Sequence, residues 1–218
     1  WNGSTWGVSR NVSQTAGVSD SPDLAVGADD SIHVVAAEQM GEDTVLYYSS
    51  SNDGSIWPFY TPIPSAYGQG PSIDVTGTPT ATVQIAYRES LAADIYTLQR
   101  IGGTWTVPEA VSNSPETFST GPKLFLDDDG EAHVAWRETI DGKPQVQYVQ
   151  GPPWTPVITL SQSATGTSLP SLVLDKTGTI HAAWGDGAYP SFALLHTWSS
   201  EGVSWQDPEA IDAGSLLL

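Results

Sequence analysis

The chain has 218 residues and no cysteine, and 25 acidic against 7 basic side chains leave a formal charge of −18. That length suits one large all-β domain, the missing thiols remove disulfides and thiolate metal sites, and three lysines are too few for a surface that follows nucleic acid or an anionic membrane. No run approaches the roughly 18 apolar residues of a membrane-spanning helix.

The first recognisable element is Trp6–Ser13 (WGVSRNVS), which reads as an outer strand upstream of any full unit. Four units then follow, each marked by a proline: Pro22 opens DLAVGADDSIHVVAAE, Pro71 opens SIDVTGTPTATVQIAYRE, Pro122 opens KLFLDDDGEAHVAWRE and Pro170 opens SLVLDKTGTIHAAWGD. The intervals are 49, 51 and 48 residues, and Trp57, Trp105, Trp154 and Trp205 each begin a unit's closing segment. Unit boundaries fall near 15–63, 64–111, 112–160 and 161–211, within a single domain over 1–218. In the third unit, 122–127 predicts one strand, Asp127-Asp128-Asp129-Gly130 a tight turn, and 132–138 a second strand. QVQYVQ and the segment from Trp154 predict the third and fourth. Helical spacing never persists, and segments such as HVAW are apolar on both faces, as in sheets packed between neighbours.

A period of this length with four short strands per unit predicts an all-β fold, a β-propeller of four-stranded antiparallel blades. Four full blades plus the extra outer strand at 6–13 fit either a small ring with an added edge strand or an arc of a larger propeller. The start at Trp1, without a methionine, reads as a processed or partial chain. Scarce lysine and the sequons Asn2-Gly3-Ser4 and Asn11-Val12-Ser13 suit a secreted or cell-surface protein.

The turn Ser50-Ser51-Asn52-Asp53-Gly54-Ser55-Ile56-Trp57 matches S-x-[D/N]-x-G-x-x-W and resembles the Asp-box, or bacterial neuraminidase repeat, of sialidase-like propellers. Segments ending at Trp105 and Trp205 keep the glycine and tryptophan. The resemblance implies that these turns lie on one face and that the loops after each second strand form the ligand face. It also implies what a sialidase would need: three arginines around a substrate carboxylate, a tyrosine nucleophile with its glutamate, and an acid. Of the chain's four arginines, Arg10 lies in the outer-type segment and Arg100 in an Asp-box turn. Neither is placed to complete a triad with Arg88 and Arg137.

Five residues beyond the His or Gln of each second strand, every unit carries a carboxylate: Glu38, Glu89, Glu138 and Asp186. Arg88 and Arg137 precede two of them. One reading makes these groups a ligand-binding ring, with arginines gripping a carboxylate; the other makes each Arg–Glu a salt bridge that organises the loop. Tyr67, beside the Ser- and Gly-rich 65–70 connection, joins the candidate ligand residues because aromatic faces stack on sugar rings. Phe118 shares that setting, whereas Tyr87, Trp136 and Trp184 read as blade core. His33, His133 and His181 recur at one strand position in separate blades, so they read as core groups and not as ligands of one metal. Asp127–Gly130 lacks the downstream glutamate of an EF-hand and reads as a turn.

The pattern names no catalytic residue, no cofactor and no metal. It predicts a noncatalytic propeller that binds a glycan or an extracellular protein through its loop face. The alternatives are a sialidase-like glycoside hydrolase and an assembly component that self-associates or completes a larger ring.

Overall fold

A computed structural model describes residues 4–5, 7–58, 60–76, 82–114, 117–188 and 191–211. Every regular element among them is a strand. β1 (Ser19–Val26), β2 (Ile32–Met40), β3 (Asp43–Ser51) and the start of β4 (Thr61–Thr76) form sheet 1. β4 passes without interruption into sheet 2, where it pairs β5 (Thr82–Glu89), followed by β6 (Ile95–Ile101), the short hairpin arm β7 (Thr104–Trp105) and β8 (Glu109–Ala110). Sheet 3 holds β9 (Ser119–Leu126), β10 (Ala132–Ile140), β11 (Lys143–Gly151) and β12 (Ile158–Thr159); sheet 4 holds β13 (Ser171–Leu174), β14 (Ile180–Ala188), β15 (Ser191–Ser199) and β16 (Glu209–Ala210).

All pairings are antiparallel, and the four units of the sequence correspond to the four sheets. At the crossing from sheet 1 to sheet 2 stands Gly68, where a Cβ would overlap the Arg88 carbonyl oxygen and the Tyr87 ring. Only glycine lets the two strands approach there.

The repeat's proline has a physical cause. In sheets 1, 2 and 3 the register slips in the first strand, at a bulge whose residue before the proline has positive φ: Ser21 (49°), Gly70 (56°) and Gly121 (60°). A bulge leaves one amide out of the ladder, so Pro22, Pro71 and Pro122 forfeit no hydrogen bond.

In sheets 2 to 4 the fourth strands are much shorter than expected, whereas in sheet 1 the start of β4 fills that place. Each Trp-initiated segment contains a proline within three residues (Pro58, Pro108, Pro156, Pro208), which removes a ladder donor. β8, β12 and β16 are reduced to two residues each, the fourth and fifth after that segment's tryptophan. The predicted outer strand at 6–13 does not form: residues 7–13 pair with no strand, and Trp6 lies outside the described residues.

The turn compared with an Asp-box is closed by Ser51 and Asp53 and not by the predicted Ser50 and Asn52. Asp53 Oδ1 accepts the amides of Ser55 and Ile56, Ser51 Oγ accepts that of Gly54, and Trp57 Nε1 donates to the Gly54 carbonyl at 3.1 Å. Trp205 repeats that bond to the Gly202 carbonyl, with Ser199 in the serine position.

Apolar residues on both faces of the strands build three cores, one between each pair of successive sheets. Val35, Ala37 and Leu46 meet Ile73, Ile85 and Tyr87; Ala86 and Ile95 meet Leu124, Val134 and Trp136; Ala135, Val146 and Tyr148 meet Ala182 and Trp184. The tryptophans plug these seams, Trp105 edge-on to Tyr48 and Trp205 edge-on to Tyr148. Among the described residues, no such cluster joins sheet 4 to sheet 1.

Candidate functional site

Antiparallel order places two kinds of loop at one edge of every sheet: the hairpin from second to third strand and the connection into the next sheet. The turns before the Trp segments lie at the opposite edge. Glu38, Glu89, Glu138 and Asp186, near the ends of their second strands, therefore share the connection edge.

Three of these carboxylates are engaged by hydrogen bonds within the fold. Glu138 is buried and accepts hydrogen bonds from Ser114 Oγ, Thr117 Oγ1 and Trp136 Nε1. Glu38, fully buried, accepts from Ser19 Oγ and Thr15 Oγ1, and Asp186 accepts from Ser163 Oγ. One donor to each, Thr15, Ser114 or Ser163, belongs to a Ser-x-Ser/Thr stretch in the connection. Its first serine reaches back to the preceding sheet: Ser112 Oγ donates to Asp94 and accepts the Ile95 amide, while Ser161 Oγ donates to Gln145 and accepts the Val146 amide. Its second hydroxyl reaches forward to the carboxylate. Each carboxylate thus ties a connection to a strand end, and no Arg–Glu salt bridge takes part. The ion pairs among the described residues are all formed by histidines.

Sheet 2 breaks the rule. Its connection reads Pro64-Ser65-Ala66, with no hydroxyl at either clamping position. Glu89 Oε2 instead accepts the amides of Leu91 and Ala92 in its own hairpin, at 2.7 and 2.6 Å. Glu89 consequently lines a cleft of about 500 Å³ with Tyr67, Gln69 and Arg88, closed on its far side by Glu42, Asp43 and Thr44 from the β2–β3 hairpin. Tyr67 is exposed. The Arg88 guanidinium lies 4.3 Å from the centre of the Phe118 ring, its Nε is buried without a hydrogen-bond partner, and it forms no ion pair. Behind the cleft, burial together with Glu89 and Tyr96 pushes the Tyr87 phenol well above its ordinary range.

Of the predicted ligand residues the structure brings together Tyr67, Arg88 and Glu89. Glu38, Arg137, Glu138 and Asp186 line no part of that cleft. The sequence reading missed the hairpin Glu42–Thr44. The missing serines at 64 and 66 were the available signal.

Tyr87, Trp136 and Trp184 are core, as expected. The histidines are separate strand staples. His33 Nδ1 lies 2.6 Å from Tyr48 Oη, and His133 Nδ1 lies 2.6 Å from Tyr148 Oη; His181 Nδ1 meets His196 Nε2 at 2.9 Å. Burial lowers the pKa of His33 and His133 against the pull of Asp29 and Asp127 respectively. Asp127, Glu131 and His133 bring three potential ligand atoms within 4.8 Å of one another, the one set among the described residues with the donors for a cation. The same Asp–His contact recurs at Asp175 and His181, with Thr179 in place of the glutamate. Its recurrence marks it as a fastening of the first turn: Asp127 and Asp175 each cap two or more backbone amides there.

No protein-family model matches the chain, and no curated protein matches it. Solved structures do. A Dyadobacter fermentans protein of unknown function aligns with a TM-score of 0.66 at 12% identity, over 92% of this chain and 70% of its own. An ulvan lyase of polysaccharide lyase family PL25 aligns at 0.64 and 12%, over 88% of this chain and 55% of its own. A subtype N10 neuraminidase-like protein of A/little yellow-shouldered bat/Guatemala aligns at 0.59 and 9%, over 87% and 58%. The chain spans between about half and two thirds or slightly more of these structures, and what it shares with them is the fold.

Proposed function

We propose that this chain is a noncatalytic, extracytoplasmic β-propeller domain that binds a glycan through the cleft of Tyr67, Arg88 and Glu89. The observation that carries the reading is the departure from the repeat: at residues 64–66 the serine clamp is absent, and the carboxylate that is buried in sheets 1 and 3 lines an open cleft in sheet 2. The cleft's volume lies within the range of small-ligand sites. An exposed tyrosine ring offers a stacking face for a sugar, and an unpaired guanidinium beside a carboxylate offers donors and acceptors for its hydroxyls. Several proteins that share the fold act on glycans by their own descriptions, including an ulvan lyase and an α-L-arabinofuranosidase. Among the described residues, no helix is long and apolar enough to cross a membrane.

Isothermal titration of the 218-residue chain against neutral and acidic oligosaccharides tests this. Saturable binding is expected, weakened about tenfold or more by Tyr67→Ala, with no new reducing ends released. A folded chain that binds none of the sugars would refute the reading. Turnover abolished by Glu89→Gln would replace it with a glycoside hydrolase.

A further inference from the structure

The repeat provides a standard for judging exposure. Leu46, Ile95, Val146 and Leu194 occupy one position on the third strands of sheets 1 to 4, each on the face turned toward the following sheet. The first three are 0% exposed and Leu194 is 49% exposed. On the same face of sheet 4, Val173, Phe192 and Trp198 are also exposed. Ile73 and Leu124, on the first strands of sheets 2 and 3, occupy the position of Leu24 in sheet 1, on the face turned toward the preceding sheet. They are 4% and 8% exposed, and Leu24 is 61%. Val26 beside it is likewise exposed.

Among the described residues, sheets 1 and 4 therefore present the two halves of one interface. Sheet 4 presents the half that Leu46, Ile95 and Val146 form inside the molecule, and sheet 1 presents the half that covers them. The connection at the sheet 1 end repeats the message. Ser13 holds the place of Ser112 and Ser161, which fasten to the third strand of the preceding sheet, yet its hydroxyl donates only to Asn11 nearby. Contiguous apolar faces of this kind are rare on isolated monomers.

We propose that sheet 4 of one copy of this chain seats on sheet 1 of a second copy, reproducing the internal sheet-to-sheet interface between molecules. Three interfaces within the chain show what covers such a face, and each copy carries the covering half. The contact is head-to-tail, so it yields a ring where the rotation closes and a filament where it does not. Because each copy carries a formal charge of −18, added salt strengthens the association by screening repulsion between copies.

Sedimentation equilibrium of the 218-residue chain across a concentration and salt series reads the outcome. Species heavier than the 23.1 kDa chain should grow with both variables. Leu24→Asp blocks one face and Leu194→Asp the other; both side chains are exposed, so each variant should retain its fold by circular dichroism. Each alone should sediment as a monomer, its dissociation constant raised about tenfold or more because a carboxylate would be buried unpaired. Mixed, the two variants should form a dimer that grows no further, through their remaining faces. Val107→Asp, at an exposed position between β7 and β8, adds the same charge away from both ends and should associate like the parent. A parent chain that stays monomeric at every concentration and salt, variants that associate undiminished, or a mixture that forms no dimer each overturns the proposal.

Discussion

Sheets 2 and 3 carry nearly the same sequence at the end of their second strands, Tyr87-Arg88-Glu89 and Trp136-Arg137-Glu138, and use it differently. In sheet 3 the carboxylate is buried and takes three side-chain donors; in sheet 2 it caps a hairpin and lines a cleft. The strand does not decide between these states. The connection entering the sheet does: Ser112-Asn113-Ser114 supplies hydroxyls, and Pro64-Ser65-Ala66 supplies none at the clamping positions. A recurring residue is thus structural where its repeat partners recur with it, and becomes available for a ligand where they have been lost.

The sharpest test of that contrast is Glu138→Ala. It leaves the donors of Ser114, Thr117 and Trp136 without their acceptor in a buried site. Removing one partner from such a set should cost about 3 kcal/mol of unfolding free energy, read by urea denaturation. Glu89→Ala, whose lost partners are two amides at an exposed hairpin, should cost about 1 kcal/mol. Equal losses would mean that the two carboxylates do the same work.

Much of this arrangement was legible in the sequence because it is local. Turn residues, strand alternation and the proline period mark four antiparallel sheets, since each depends on neighbours within one unit. The failures have equally specific causes. Trp-initiated segments promise strands by composition, but Pro58, Pro108, Pro156 and Pro208 remove ladder amides, a signal present in the sequence and outweighed by the aromatic and β-branched residues around it. The four carboxylates read as a ring because their spacing recurs. Their true partners lie 21 to 24 residues upstream in the case of Ser114, Thr117, Thr15 and Ser163, and only the paired occurrence of serine and carboxylate reveals the clamp. The cleft is less legible still, because Glu42–Thr44 of sheet 1 lines it together with Arg88 and Glu89 of sheet 2.

A second contrast separates the same two sheets: Gln84 in sheet 2 stands where sheet 3 has His133. Gln84 accepts a bond from Gln99 and does not titrate in the neutral range. His133, facing Asp127, Glu131, Tyr148 and Phe125, has its pKa lowered chiefly by burial, with Asp127 and Glu131 opposing. A depressed imidazole favours the neutral ring in the folded chain. Its contribution is complete above the unfolded value near 6.5 and is lost as pH falls through the lower folded value, where the unfolded chain binds a proton that the fold resists. His33 adds to the same trend. His133→Gln, which places the sheet 2 residue in sheet 3, should cost about 1 kcal/mol at pH 8. It should also reduce the fall in stability between pH 8 and 5; an unchanged pH slope would remove His133 from the account.

Ala66→Ser should convert sheet 2 toward sheet 3. The new hydroxyl would occupy the place of Ser114 and Ser163, within reach of the carboxylate that those residues hold in their own sheets. Ala66 is fully buried, so the added oxygen gains nothing unless Glu89 turns to accept it. The expected change in stability is within about 1 kcal/mol in either direction, since a new hydrogen bond offsets a tighter fit. The informative readout is glycan affinity, which should fall as Glu89 leaves the cleft while Arg88 and Tyr67 stay. Unchanged affinity in Ala66→Ser, alongside a loss in Tyr67→Ala, would show that the sugar is held by the tyrosine face without Glu89.

The smallest effect on stability belongs to Arg88→Ala. Its guanidinium rests on Phe118, itself partly exposed, and has no ion-pair partner, so its removal should cost about 0.5 kcal/mol. Ligand affinity should respond far more, because among the described residues lining the cleft Arg88 is the only basic group, set against Glu42, Asp43 and Glu89. Arg137→Ala provides the control: the same residue of the repeat, outside the cleft, should leave affinity unchanged. Comparable losses from both substitutions would mean that the arginines act at long range on an anionic ligand, and that the cleft in sheet 2 is not where the contact is made.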